Sequence, residues 1–371
     1  MIRLACRALG VQVGKALGWN ALIRPFIAHL TLTNRCNLRC SMCNMWAMSP
    51  KEDLPPSVLH RLRASRLWPG IRILDLTGGE PFLVDVASVV ETLRTENIQS
   101  VYLTTNGVLT RHILEQTGKI LQSKGGFRLF IGVSLDGPNE VHDRLRGLEG
   151  TYRRAIETLE GLALMAQDHS RLHISIKYTI MPENWQYIRK TFDIAQSRGF
   201  GFTAKPYLLS GILGNTGEVQ FSPEQISSIE RQINQIDEAM RDHPVRPFQI
   251  WRGIAKHADR MFHRELIGYL KNYYLKGKTR GLYPCDSSFI SVMVHCDGKI
   301  YSCPKLMKPV GDLREHTLEF IWDSVQAREV RRFIQSGACA CFSQCDLMPS
   351  LLLRSKAWMA FNIFRELAVR G

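Results

Sequence analysis

The chain has 371 residues, enough for one large domain with a smaller one, or for two domains. Its 45% apolar and 22% charged content is that of a packed protein and excludes a disordered one. No run nears the roughly 18 uncharged apolar residues of a membrane span. Arg7 and Lys15 interrupt any signal-peptide core, so neither an integral membrane protein nor an exported one is expected. The net charge of +14 gathers in residues 1–28 (+4, with no acid), 241–281 (+7) and 350–371 (+3). From Leu351 to Arg370, Arg354, Lys356, Arg365 and Arg370 fall on one half of a helical wheel. Leu353, Phe361, Phe364 and Leu367 fall on the other. Such a helix either docks on its own domain or lies on an anionic membrane surface. Nucleic acid is not expected, because zinc-finger spacing, RNP-type aromatics and basic runs are all missing.

In chain order, residues 28–208 alternate strands with helices. Strands are expected at 28–33, 71–76, 100–105, 127–135, 172–180 and 200–207, and helices at 56–66, 84–96, 109–122, 151–167 and 184–198. Alternation of this kind makes an α/β fold of βα units around a parallel sheet. Thr77-Gly78-Gly79, Asn106-Gly107 and Asp136-Gly137-Pro138 follow strands directly, and in parallel βα folds those loops build the site. Further on, Ser222, Pro223 and Glu224 open a helix to 241. A second helix covers 250–276, interrupted by Gly253 and Gly268. Residues 288–303 read as a hairpin turning at Asp297-Gly298, and 317–335 as a helix.

Ten cysteines need an explanation, and without a secretion signal disulfides are not expected. Cys36, Cys40 and Cys43 form one group. Cys285, Cys296, Cys303, Cys339, Cys341 and Cys345 form another, and Cys6 stands alone. CNLRCSMC offers three thiolates from one loop, whereas structural zinc takes four ligands and the next histidine is His60. Three thiolates suit a [4Fe–4S] cluster with one open iron. The alternatives are zinc completed by a distant residue, or plain buried cysteines.

The CxxxCxxC spacing after the first strand resembles the radical S-adenosylmethionine superfamily. The resemblance implies a partial (β/α)6 TIM-like barrel whose open iron binds the amino and carboxylate groups of S-adenosylmethionine (SAM). Reductive cleavage then yields a 5′-deoxyadenosyl radical that takes a hydrogen atom from substrate. Met42 stands where the family often has an aromatic residue. LTGGEP, with Gly78, Gly79 and Glu80, resembles the loop that contacts the cofactor's amino group. Glycines permit close approach there, and Glu80 offers a carboxylate to an ammonium. In VSLDGP, Ser134 is a stronger candidate than Asp136 for the ribose or carboxylate, since Asp136 also suits a turn. TTNG places Asn106 at a strand end, and Lys177 is a candidate partner for the cofactor's carboxylate, with a solvent-facing lysine as the alternative. HDRLRGLEGTYRRAIETL resembles the family's helix after the fourth strand.

The C-terminal region is similar to the SPASM/twitch extension, a small α+β cluster domain. The resemblance implies one auxiliary iron–sulfur cluster held by Cys285, Cys303, Cys341 and Cys345, with Cys339 able to replace one of them. Cys296 reads as a hairpin strand residue and not a ligand, and a structural zinc knot is the alternative for the whole group. The expected division is a basic N-terminal segment (1–27), the barrel (28–220), a helical connector (221–284), the cluster domain (285–349) and an amphipathic C-terminal helix (350–371). The expected function is a radical SAM oxidoreductase acting on a small molecule, a lipid-linked molecule or a peptide, with a flavodoxin- or ferredoxin-type electron donor. It is expected in the cytoplasm, with peripheral membrane contact through the basic ends. The alternatives are a peptide maturase and a non-catalytic zinc scaffold. Lys205 and Tyr207, at the end of the sixth strand, are candidates to face substrate.

Overall fold

The computed structural model describes residues 23–207, 210–215, 217, 219–241, 261–282, 285–303, 305–339, 341–342, 347 and 349–351. All six expected strands form: β1 (Ile27–Thr31), β2 (Ile73–Thr77), β3 (Ser100–Thr105), β4 (Arg128–Ser134), β5 (Leu172–Ile180) and β6 (Gly201–Pro206). Three more follow, β7 (Ser291–Val294), β8 (Lys299–Tyr301) and β9 (Pro309–Asp312), in one sheet of order β6-β5-β4-β3-β2-β1-β7-β8-β9. Strands β1 to β6 pair in parallel throughout, as the alternating pattern requires.

The period of two along each strand separates two faces. On one face Leu74, Leu76, Val101, Leu103, Leu129, Ile131 and Ile176 are buried in the main apolar core, under the crossover helices. The other face is polar. His29, Asp75, Tyr102, Phe130 and His173 lie in one register across five strands. His29 Nδ1 is 2.8 Å from Asp75 Oδ2, and Tyr102, Phe130 and His173 stack at 4.5 and 4.7 Å. Toward the strand C-termini, Thr104, Gly132, Ser175 and Gly201 share the next polar-face register, a layer of small side chains.

The helices that bear on the site are α1 (Pro56–Ala64), α2 (Val86–Leu93), α3 (Thr110–Gln122), α4 (Asn139–Arg146), α5 (Thr151–Asp168), α6 (Ile188–Ser197), α7 (Pro223–Arg241), α8 (Leu318–Trp322) and α9 (Val325–Gln335). The HDRLRG…AIETL stretch, read as one helix, is two. Gly147 ends α4 in the left-handed region (φ 72°) and Gly150 precedes α5 with φ 80°. The single helix expected at 317–335 also divides, because the Ser324 side chain accepts from Ala327 N–H and starts a new helix. Of the helix expected at 250–276, residues 261–270 are helical and Lys271–Leu275 form a π-helical turn; 250–260 lie outside the described residues. So do the basic ends, 1–22 and 352–371. Among the described residues no helix is long and apolar enough to cross a membrane.

Strand β7 pairs in parallel with β1, Leu30 opposite Val294, so the C-terminal hairpin continues the barrel sheet. The hairpin turns where Asp297-Gly298 suggested, but β7 ends at Val294, so Cys296 lies in the turn and not in a strand.

Candidate cofactor-binding site

The loop after β1 carries Cys36, Cys40 and Cys43 and is fixed from several sides. Thr33 Oγ1 donates to Asp53 Oδ1 (2.6 Å), and Arg35 pairs with the same carboxylate. Gly79 N–H donates to Thr33 O (2.8 Å) and Glu80 N–H to Arg35 O (2.9 Å). A Cβ at Gly79 would run into the Arg35 carbonyl and stand 3.1 Å from Cys36 Cβ, so only glycine lets the two loops meet. On the far side, Asn44 N–H donates to Leu213 O (2.7 Å) and Asn215 Nδ2 to Met42 O (3.1 Å).

Burial pushes the Cys36 thiol up to about 11, with Cys40 and Cys43 adding to the shift. The Cys40 and Cys43 thiols are raised by burial too. Buried thiols of this kind stay protonated until a metal displaces the proton. Leu38 N–H points at Cys36 Sγ (3.5 Å) and Arg146 Nη1 at Cys40 Sγ (3.8 Å), donors that suit thiolate acceptors. Three sulfurs with no histidine or carboxylate among them are the soft donor set of an iron–sulfur cluster, and the residues fit one. Among the described residues no three His, Cys, Asp or Glu side chains converge tightly enough for a single metal ion.

Gly78, Gly79, Glu80, Asn106, Ser134 and Lys177 all lie at or near the C-terminal ends of β2 to β5, and the Gly78–Glu80 turn and Asn106 also touch the cysteine loop. Glu80 is fully buried, and its carboxylate accepts from Phe82 N–H (3.2 Å), Thr105 Oγ1 (2.8 Å) and Asn106 N–H (2.8 Å). Burial pushes its pKa up to about 7 against those donors. These bonds lock the Gly-Gly-Glu turn to the end of β3. Asn106 Nδ2 reaches Asn37 Oδ1 (2.8 Å), joining β3 to the cysteine loop. Ser134 and Lys177 are register partners on β4 and β5. The Lys177 stem crosses Gly132, where a Cβ would lie 2.6 Å from Lys177 Cε, and its Nζ stands 3.4 Å from Thr203 Oγ1.

Asp136 makes more than a turn. It is fully buried, its Oδ1 accepts from Thr179 N–H (2.7 Å), and its Oδ2 pairs with Arg146 at 2.7 and 2.5 Å. Sequence reasoning did not single out Arg146; its only signal was the arginine before the helix-ending glycine in HDRLRG. Lys205 is near enough to Cys43 to favour its thiolate. The Tyr207 hydroxyl donates to Gly217 O (2.9 Å), and its pKa is raised by burial and by Cys43.

In the second group, Ser287 N–H points at Cys285 Sγ (3.4 Å) and Leu306 N–H at Cys303 Sγ (3.3 Å). Ser287 Oγ donates to Ser302 O (3.0 Å), tying those two turns together. Buried Arg331 donates to Ser288 O (2.8 Å) and Trp322 O (2.8 Å), which holds Ser288 at φ 68° beside Cys285. Cys339 is half-buried near Lys305, and Phe342, next to Cys341, packs on Phe262 and Tyr269 at 5.0 and 5.3 Å. Cys345 lies outside the described residues. Cys296 differs from these: its buried sulfur stands 3.7 Å from His295 Nδ1, and burial pushes its thiol up to about 12. Met45, Met293 and Tyr301 pack with Cys43, Met48 and Met307, while Met307 N–H donates to Cys303 O (3.4 Å). An apolar bridge thus joins the two cysteine groups.

Residues 30–195 match the radical SAM superfamily and residues 285–346 the iron–sulfur cluster-binding SPASM domain. The chain is 27% identical over 311 residues to the AdoMet-dependent heme synthase of Methanosarcina barkeri, covering 81% of this chain and 83% of that protein. It is 29% identical over 195 residues to the subtilosin biosynthesis protein AlbA of Bacillus subtilis, 51% of this chain and 40% of that one. The fold resembles Streptococcus suis SuiB bound to precursor peptide SuiA, with TM-score 0.56, 15% identity, and 93% and 76% of the two chains covered. The chain therefore belongs to the radical SAM superfamily, as an enzyme that uses a [4Fe–4S] cluster and S-adenosylmethionine and carries a SPASM iron–sulfur domain.

Proposed function

We propose that Cys36, Cys40 and Cys43 hold the SAM-binding cluster, and that the Gly78–Glu80 turn, Asn106, Ser134 and Lys177 receive the cofactor. Cys285, Cys303, Cys341 and Cys345 hold one auxiliary cluster, with Cys339 as the substitute ligand. One observation carries this reading: the thiol loop is tied to the residues that follow β2, β3 and β4 through Gly79, Glu80, Asn106 and the Asp136–Arg146 pair, and β7 sets the C-terminal hairpin beside β1. When loaded, these groups supply reductive cleavage of SAM, hydrogen abstraction from substrate by the 5′-deoxyadenosyl radical, and an acceptor for the second electron. Lys177 and Ser134 offer an ammonium and a hydroxyl to a carboxylate. The apolar bridge of Met45, Met293 and Met307 excludes water between the cysteine groups. The net reaction is a two-electron oxidation or bond formation on an organic substrate, fed by a flavodoxin- or ferredoxin-type donor.

A peptide substrate is the second reading, favoured by the likeness to AlbA and by the fold shared with peptide-bound SuiB. The barrel then spans 28–220, the connector 221–284 and the cluster domain 285–349. The basic segments 1–27 and 350–371 touch an anionic membrane surface, which liposome flotation at low salt tests. The main test uses anaerobically reconstituted protein with dithionite and SAM. It should release 5′-deoxyadenosine, and the Cys36→Ala/Cys40→Ala/Cys43→Ala variant should release none. Release by that variant, or none by the wild type, would overturn the reading.

A further inference from the structure

We infer that Arg146, held by Asp136, is a positioning residue that raises the reduction potential of the cluster bound through Cys40. The inference rests on the cluster reading above. The last turn of α4 is stitched onto the cysteine loop: Ser41 N–H donates to Leu145 O (2.9 Å), and a Cβ at Gly147 would stand 2.5 Å from Arg39 O. That contact delivers Arg146 to the loop with its side chain only 12% exposed. Its guanidinium divides its donors. Nε and Nη2 bind Asp136 Oδ2, and Nη1 points at Cys40 Sγ (3.8 Å). Asp136 is itself fixed by Thr179 N–H, and its own N–H donates to His142 Nδ1 (3.0 Å). A cation donating to a thiolate sulfur draws charge from it, and at low dielectric it favours the reduced, more negative state. Asp136 opposes this field while aiming the arginine.

The two charges therefore push the potential in opposite directions, which a merely structural pair would not do. The test is an EPR-monitored redox titration of the full, anaerobically reconstituted chain without SAM. The relevant signal is the one missing from the Cys36→Ala/Cys40→Ala/Cys43→Ala variant. Arg146→Gln should move its midpoint to more negative values and Asp136→Asn to more positive ones, at wild-type iron content. If Arg146→Gln fails to hold iron, Asp136→Asn decides alone, because the amide keeps an acceptor for Thr179 N–H. A midpoint that stays put, or moves the same way in both variants, overturns the inference alone. Absence of the signal from the wild type overturns the cluster assignment and the inference with it.

Discussion

Glu80→Gln separates the energetic role of the Gly-Gly-Glu turn from its place in the motif. The wild-type carboxyl titrates at about 7 instead of near 4.5, because it is buried. That difference disfavours its charged form in the fold by about 3 kcal/mol. Between those two pH values the folded chain keeps a proton that the unfolded chain has released, so this group's contribution to stability falls as pH rises through the window. Glutamine binds no proton and lacks that slope. It also turns an amide N–H toward either Asn106 N–H or Thr105 Oγ1, leaving a buried donor poorly served at a roughly constant cost of about 1–3 kcal/mol. The variant should therefore be less stable than wild type near pH 5 and match or exceed it near pH 8. Urea unfolding of both proteins across that range, with m-values compared, measures the difference directly. A stability difference flat with pH, or one in which the variant falls further below wild type as pH rises, would refute the burial argument.

Gly79→Ala forces the Arg35 carbonyl and Cys36 apart. It should cost about 1–3 kcal/mol or more and lower iron per chain; full iron at an unchanged urea midpoint would count against the close-approach account. Asn106→Ala removes the tie to Asn37 and the acceptor for Val108 N–H (3.0 Å). Steady-state kinetics should show a raised KM for SAM at full iron content, and an unchanged KM would remove Asn106 from the cofactor site. Cys303→Ser should lower iron and sulfide toward the single-cluster value, whereas Cys296→Ser should keep both. Loss of iron in the Cys296 variant alone would exchange their roles.

Residue order alone carried the elements whose signal is local. The six parallel strands follow from apolar runs punctuated by glycine and asparagine, and they form within two residues of where those runs lie. CxxxCxxC and the Gly-Gly-Glu turn are legible for the same reason: neighbours in the chain supply the whole pattern. Pairings between distant segments had no such signature. Nothing in the SVMV of β7 says that it lies beside β1, since parallel partners are chosen by sheet closure and not by a local turn. The Asp136–Arg146–Cys40 contact joins a strand end, a helix end and a loop that are up to 106 residues apart. Asp136 reads as a turn residue until the fold buries it against a cation. Glu80 likewise looks free for a ligand until tertiary packing surrounds its carboxylate with three donors. Composition and spacing choose which groups are present, but burial and long-range register decide what each of them faces.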